Sequence, residues 1–224
     1  MSLEDILLLI PVLLFSVVAH EYAHGEAAYR QGDTTAYMLG RLTLNPLKHI
    51  DPFLTILLPI MLIAMGGPPF GGAKPVPVNP RNYRNYVTGD IIVSLAGIAT
   101  NLALFVLCTV VFALIGFVGK ALAGMTASLA LLQRMMYIGM FVNTALAFFN
   151  LIPIPPLDGS HVLKHMLPPA LGMQYRQLYV LGIIPIMLIV WLLPGVVDAF
   201  LWPQRALMSV AQGIVRGLAL PGAL

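Results

Sequence analysis

The stretch "VVAHEYAHGEAAY", residues 17–29, closes an apolar run and decides the reading of the fold. Residues 6–19 carry no charge, and then His20, Glu21, His24 and Glu26 fall within seven positions. On a helix, Ile6 to His20 covers about 21 Å at ~1.5 Å per residue, within an apolar bilayer core about 30 Å thick. Ionisable side chains at that depth cost several kcal/mol each unless something compensates them. The composition places the run in a membrane. Of 224 residues, 59% are hydrophobic and 9% charged, and the mean hydropathy is +0.89. Soluble domains carry about a quarter charged residues.

Glu4 and Asp5 stand where a signal peptide would carry lysines, and no small-residue cleavage site precedes the histidines, so the first run is expected to stay as a span. Cys108 is the single cysteine and sits in an apolar run, which excludes a disulfide framework and a cysteine-rich metal site. A net charge of +3 on so few charges gives no basis for a nucleic-acid partner. No solenoid repeat, low-complexity tract or separate soluble domain is visible.

Four segments read as spans: Leu3 into the histidine stretch, Ile91–Val118, Met135–Leu157 and Leu178–Leu201. Each is near or above the ~20 residues a bilayer requires. The run Phe53–Met65 is short and contains Pro59, which predicts a re-entrant or interfacial segment. Around it, "TTAYMLGRLTLNPLKHIDP" and "GGPPFGGAKPVPVNPRNYRN" mix β-formers with Pro and Gly, and short extended segments are expected there. After Pro203 an amphipathic or partly inserted tail follows. The expected fold class is an all-α polytopic membrane protein with four to five transmembrane helices, short membrane-surface β segments and a re-entrant region. With residues 53–65 re-entrant, Arg30, Arg41, Lys48, Lys74, Arg81, Arg84, Lys164 and Arg176 share one side, and Lys120, Arg134, Arg205 and Arg216 the other. The positive-inside rule then makes the first group cytoplasmic and the N-terminus external.

His20-Glu21-Tyr22-Ala23-His24 matches H-E-x-x-H. Residues i and i+4 share a helix face, so both imidazoles can reach one ion, and Glu21 lies beside them as a candidate base. Zinc suits imidazole, and catalytic zinc keeps three protein ligands and an open position. A solvated surface helix could carry the same five residues, but here they complete a span. For the third ligand, Asp158 is a better candidate than His49, His161 or His165. It follows Pro153, Pro155 and Pro156 in "FFNLIPIPPLDGSHVL", and broken backbone at membrane depth is tolerated where it lines a polar cavity. Asp158-Gly159 reads as a turn presenting a carboxylate; the plainer alternative is an ordinary exit from a helix. Asn101 and Asn143 read as interhelical hydrogen-bond partners, and Glu26 with Arg30 as an i,i+4 pair.

Together, "HEYAH", "SLAGIATNL" and "NLIPIPPLDG" resemble the site-2 protease family of intramembrane zinc metalloproteases, over roughly residues 10–165. The resemblance implies one zinc ion per chain held by His20, His24 and Asp158, with Glu21 as general base. It also implicates Asn150 in holding substrate or the oxyanion. Where members often have Gly-Pro in the middle motif, this chain has Gly97-Ile98, and no PDZ-like insertion separates the spans. The compact group without PDZ domains fits best. The expectation is a single transmembrane peptidase domain over residues 1–224, with a catalytic core at about 3–165 and a C-terminal span and tail at about 176–224. Its partners would be a transmembrane protein substrate and the lipid bilayer, in a prokaryotic plasma membrane with the active site toward the cytoplasm. Two rivals are a zinc-binding transporter or sensor and an inactive protease-like scaffold. Ionisable residues gathered at one depth argue against the first, and an intact Glu21 against the second.

Overall fold

The structure is a computed structural model that describes residues 3–64, 72–121 and 126–223. Its helices run in the order α1 (Leu3–Gln31), α2 (Thr35–Met38), α3 (Leu58–Ala64), α4 (Tyr86–Ala121), α5 (Thr126–Asn150), α6 (Asp158–Met166), α7 (Pro169–Gln177), α8 (Ile184–Leu192), α9 (Pro194–Phe200) and α10 (Trp202–Val215). α1, α4 and α5 are long and apolar enough to cross a membrane. A fourth crossing exists only if the pair Pro169–Leu181 and Ile184–Leu192, bent by 86°, is counted as one. The chain divides into two compact units, residues 1–16 with 98–224, and residues 17–97.

The first unit has inverted polarity. Its surface carries Leu7, Ile10, Phe15, Val106, Leu114 and Phe117, all more than half exposed, whereas Ser16, Asn101, Gln133, Asn143 and Thr144 are almost wholly buried. Lipid tails solvate apolar side chains, and polar ones must find partners inside the bundle. Asn101 Nδ2 donates to Asn143 Oδ1 at 2.9 Å, and Asn143 Nδ2 donates to the Gly139 carbonyl at 2.9 Å, as the interhelical reading of these asparagines predicts. α10 packs Met208, Ala211 and Val215 against Phe105, Phe112 and Met140, so the tail after Pro203 is amphipathic. Arg134 meets Asp5 at 2.6 Å and Glu4 at 3.4 Å, which puts the N-terminus at the Arg134 end of this unit, as the distribution of basic residues requires.

Two expectations need correction in this unit. The span expected over Leu178–Leu201 is broken: Gly182 takes φ +55°, and Pro194 starts a new helix after the nine residues of α8. The span expected over Met135–Leu157 runs as α5 and stops at Asn150, because the prolines at 153, 155 and 156 cannot continue its hydrogen-bond ladder.

The second unit holds the end of α1, the start of α4 and the segments between. Residues 52–64 form a wide helical turn over Pro52–Leu57 that passes into α3. The chain then returns: Lys74 N donates to the His49 carbonyl at 2.8 Å, and Thr55 Oγ1 donates to the Gly72 carbonyl at 2.7 Å. The two ends of the segment therefore meet as in a hairpin, with Lys48 and Lys74 at the same end. Among the described residues there is no strand, which departs from the expected β segments; residues 65–71 lie outside the described residues. In 34–52 helical turns at Thr35–Met38 and Pro46–His49 take the place of extended chain. In 72–79, Pro75 and Pro77 lack N–H groups, and the amides of Lys74, Val76 and Asn79 go to three different acceptors: the His49 carbonyl, Glu21 and Asp33. A ladder needs alternate residues to bond to one neighbouring strand.

Asp33 is wholly buried at the end of α1. It accepts from Asn79 N at 2.6 Å, Asn82 Nδ2 at 2.8 Å, Thr35 N at 3.1 Å and Thr35 Oγ1 at 2.5 Å. Burial alone would raise its pKa, but these donors outweigh it and hold the carboxyl below its ordinary 3.8. A depressed folded-state pKa means a stabilisation fully present above the unfolded value and lost as the pH falls through the folded one. We expect Asp33→Asn to lower the thermal midpoint at neutral pH. Its midpoint should then fall less than that of wild type on acidification from about pH 5 to pH 2. Parallel acid profiles in thermal melts would show that Asp33 does not anchor the segment.

Candidate metal centre

Helical spacing puts His20 and His24 on one face of α1, and their Nε2 atoms converge to 3.0 Å with the rings at 85°. His24 Nδ1 lies 2.7 Å from the Val93 carbonyl on α4. A carbonyl only accepts, so Nδ1 carries the proton and Nε2 keeps its lone pair for a ligand. Two nitrogens about 2.05 Å from one ion at a tetrahedral angle stand about 3.3 Å apart, so the pair fits a zinc ion.

Gly97 makes this approach possible. A Cβ there would stand 2.5 Å from His20 Cε1 and 2.6 Å from His24 Nε2. Val93 and Gly97 are one turn apart on α4, and that turn holds one imidazole and leaves room for both. Glu21 is half-buried, and its Oε2 accepts from Val76 N at 2.8 Å. Sequence reasoning missed three of these features: the Val93 carbonyl, the Val76 amide and the space at Gly97. The glycine in "SLAGIATNL" was a visible signal for the space alone. Backbone groups such as the Val76 amide leave no mark in a motif.

Asp158 and Asn150 belong to the other unit. Asp158 opens α6 behind Leu157 as N-cap, so it starts a helix where a free turn was expected. A Cβ on Gly159 would lie 2.1 Å from the Leu151 carbonyl, so glycine is needed where the proline loop folds back. Asn150 ends α5, and its Nδ2 donates to the Leu146 carbonyl at 2.9 Å. Of the other histidines, His49 is buried with Nε2 2.8 Å from the Thr43 carbonyl, and His161 Nδ1 sits 3.1 Å from Lys164 Nζ. Glu26 and Arg30 pair at 2.8 Å, as their spacing predicts.

Comparison with known proteins fits this arrangement. The family model described as "Peptidase family M50" matches residues 8–193. The chain is 36% identical over 197 residues to "Putative zinc metalloprotease YwhC" of Bacillus subtilis, covering 88% of this chain and 84% of that protein. It is 38% identical over 170 residues to "Putative zinc metalloprotease Rip2" of Mycolicibacterium smegmatis, covering 73% of this chain and 58% of the relative. No solved structure matches. With the family model spanning most of the sequence, and with H-E-x-x-H lying where the two imidazoles converge, the chain belongs to peptidase family M50, the site-2 protease family.

Proposed function

We propose that the protein is an intramembrane zinc metalloprotease that hydrolyses peptide bonds within or beside transmembrane segments of other membrane proteins. The observation that carries this reading is the convergence of the His20 and His24 Nε2 atoms beside Gly97, next to a glutamate. In the proposal His20 and His24 hold one zinc ion, and Asp158 supplies the third ligand. Support for Asp158 comes from the resemblance and from the three-ligand habit of catalytic zinc. When bound, the ion polarises a carbonyl and lowers the pKa of water from 15.7 toward ~7. Glu21 takes the proton of the attacking water and returns it to the leaving amine. Asn150 holds the substrate or its developing oxyanion through the amide hydrogen not committed to Leu146.

The whole chain acts as one peptidase domain in a prokaryotic plasma membrane, with the site opening to the cytoplasmic side where most basic residues lie. A membrane-spanning helix is a poor substrate as it stands, since each carbonyl is already hydrogen-bonded and shielded by side chains. The substrate must therefore unwind before it is cut.

Purified protein and a model transmembrane substrate in detergent test the reading. Cleavage should stop on chelation, return with zinc, and be faster when Gly, Asn or Pro lies near the cut site than in a uniform Leu helix. Zinc flux into vesicles without any cleavage would favour a transporter. Bound zinc with neither activity would favour a scaffold.

A further inference from the structure

The loop that carries Asp158 is held from outside by side chains that no motif marks. Ser160 is wholly buried in the first turn of α6. Its backbone N donates to the Leu157 carbonyl at 3.0 Å, and its Oγ donates to the same oxygen at 2.5 Å. Tyr179, nineteen residues on, places its hydroxyl 2.6 Å from Ser160 Oγ. The serine has one hydroxyl hydrogen, and the Leu157 carbonyl can only accept. The proton order is therefore fixed: Tyr179 O–H to Ser160 Oγ, and Ser160 O–H to Leu157 O. The chain of bonds ends on the peptide that joins Leu157 to Asp158. The Tyr179 ring is itself held, edge-on to His161 at 5.3 Å and with Lys164 Nζ 5.9 Å from its centroid.

We infer that Tyr179 and Ser160 are positioning residues for Asp158: the hydroxyl relay fixes the Leu157–Asp158 peptide and so the direction in which the carboxylate is presented to the metal. The inference rests on the proposed role of Asp158 as a zinc ligand. Peptide planarity carries the orientation of the held carbonyl to the Asp158 nitrogen, and the helical backbone of α6 then sets the Cα from which the carboxylate projects. Groups that hold a metal ligand in place typically contribute ~10–100-fold to metal affinity. Tyr137 provides an internal comparison, because its hydroxyl accepts from Gln212 Nε2 at 2.6 Å, between α5 and α10, away from the relay.

The experiment measures zinc release from the full-length protein to a chelator in detergent, with the thermal midpoint of the metal-free protein recorded alongside. All variants carry Glu21→Gln, so that no turnover is needed. Tyr179→Phe keeps the ring and its contacts and should speed release about tenfold, with the midpoint of the metal-free protein near that of the parent. Ser160→Ala should do the same, and the double variant should be no faster than either single one, as expected of one relay. Tyr137→Phe should release zinc at close to the parent rate. Unchanged release in both Tyr179→Phe and Ser160→Ala overturns the inference. So does release that rises equally in Tyr137→Phe and follows the midpoint. Asp158→Ala separates the two levels: full zinc retention there refutes Asp158 as ligand, whereas zinc loss there with intact retention in the relay variants refutes the relay alone.

Discussion

Alanine at His20 or His24 should strip the metal, while glutamine at Glu21 should stop cleavage and leave the metal in place. The difference follows from geometry. The two Nε2 atoms meet at 3.0 Å, so removing either imidazole leaves a single nitrogen on α1. Zinc affinity should fall by at least ~10²-fold, the upper end of what losing a mere supporting group costs. Glutamine keeps the shape of Glu21, and its amide oxygen can still accept from Val76 N, but it cannot take a proton. The expected loss in rate is ~10²–10⁴-fold, the usual contribution of a general base. Elemental analysis of purified variants, paired with the cleavage assay, reads both effects. Glu21→Gln protein devoid of zinc would make the glutamate a ligand, and undiminished cleavage would remove it from the chemistry. Asp158→Ala should also lose zinc. Full occupancy there would transfer the third position to another donor such as His161.

Gly97→Ala should cost nearly as much, although it alters no polar group. In an ordinary helix interior this substitution stabilises by about 1 kcal/mol. Here the new methyl would stand 2.5 Å from His20 Cε1, 2.6 Å from His24 Nε2 and 2.7 Å from His20 Nδ1. Either the rings turn away, which separates the converging nitrogens, or α4 shifts, which takes the Val93 carbonyl from His24 Nδ1. Overpacking of this kind costs about 1–3 kcal/mol, and a misplacement near 1 Å at a reacting centre costs about 10²-fold in rate. We expect normal helix content by circular dichroism, with zinc occupancy and cleavage both falling about 100-fold. Wild-type zinc and rate in Gly97→Ala would mean that the histidines do not need this space.

The parts of the protein that could be read from sequence are those governed by periodicity. His20 and His24 are four apart, so their shared face follows from the helix alone. Asn101 and Asn143 stand out because polar amides inside apolar runs need partners. The breaks were harder to read. Gly182 lies in "YVLGIIPIML", where hydropathy runs on smoothly, yet its φ of +55° ends a helix. Between 72 and 79 the β-formers suggested pairing, but two prolines remove donors, and the amides of Lys74, Val76 and Asn79 are claimed by a carbonyl and two carboxylates. Acceptors of that kind come from residues far off in the chain, such as Glu21 and Asp33. A local pattern does not contain them. The same holds for the Tyr179 hydroxyl, which becomes informative only once α6 and the turn that follows α7 have folded together.

The polar interior of the first unit bears on how the chain is made. α4 is strongly apolar, whereas α5 is much less so and carries Gln133, Arg134, Asn143 and Thr144. Entering lipid alone, α5 would expose these groups to hydrocarbon, at a cost its few surplus apolar residues scarcely offset. Beside α4 the cost falls away, since Asn143 bonds to Asn101 and Gln133 donates to the Phe112 carbonyl. During synthesis α4 emerges first and can wait in the bilayer as a template, and α5 leaves the insertion machinery as its partner. The Asn101–Asn143 bond would thus serve the insertion of α5 as well as the folded bundle.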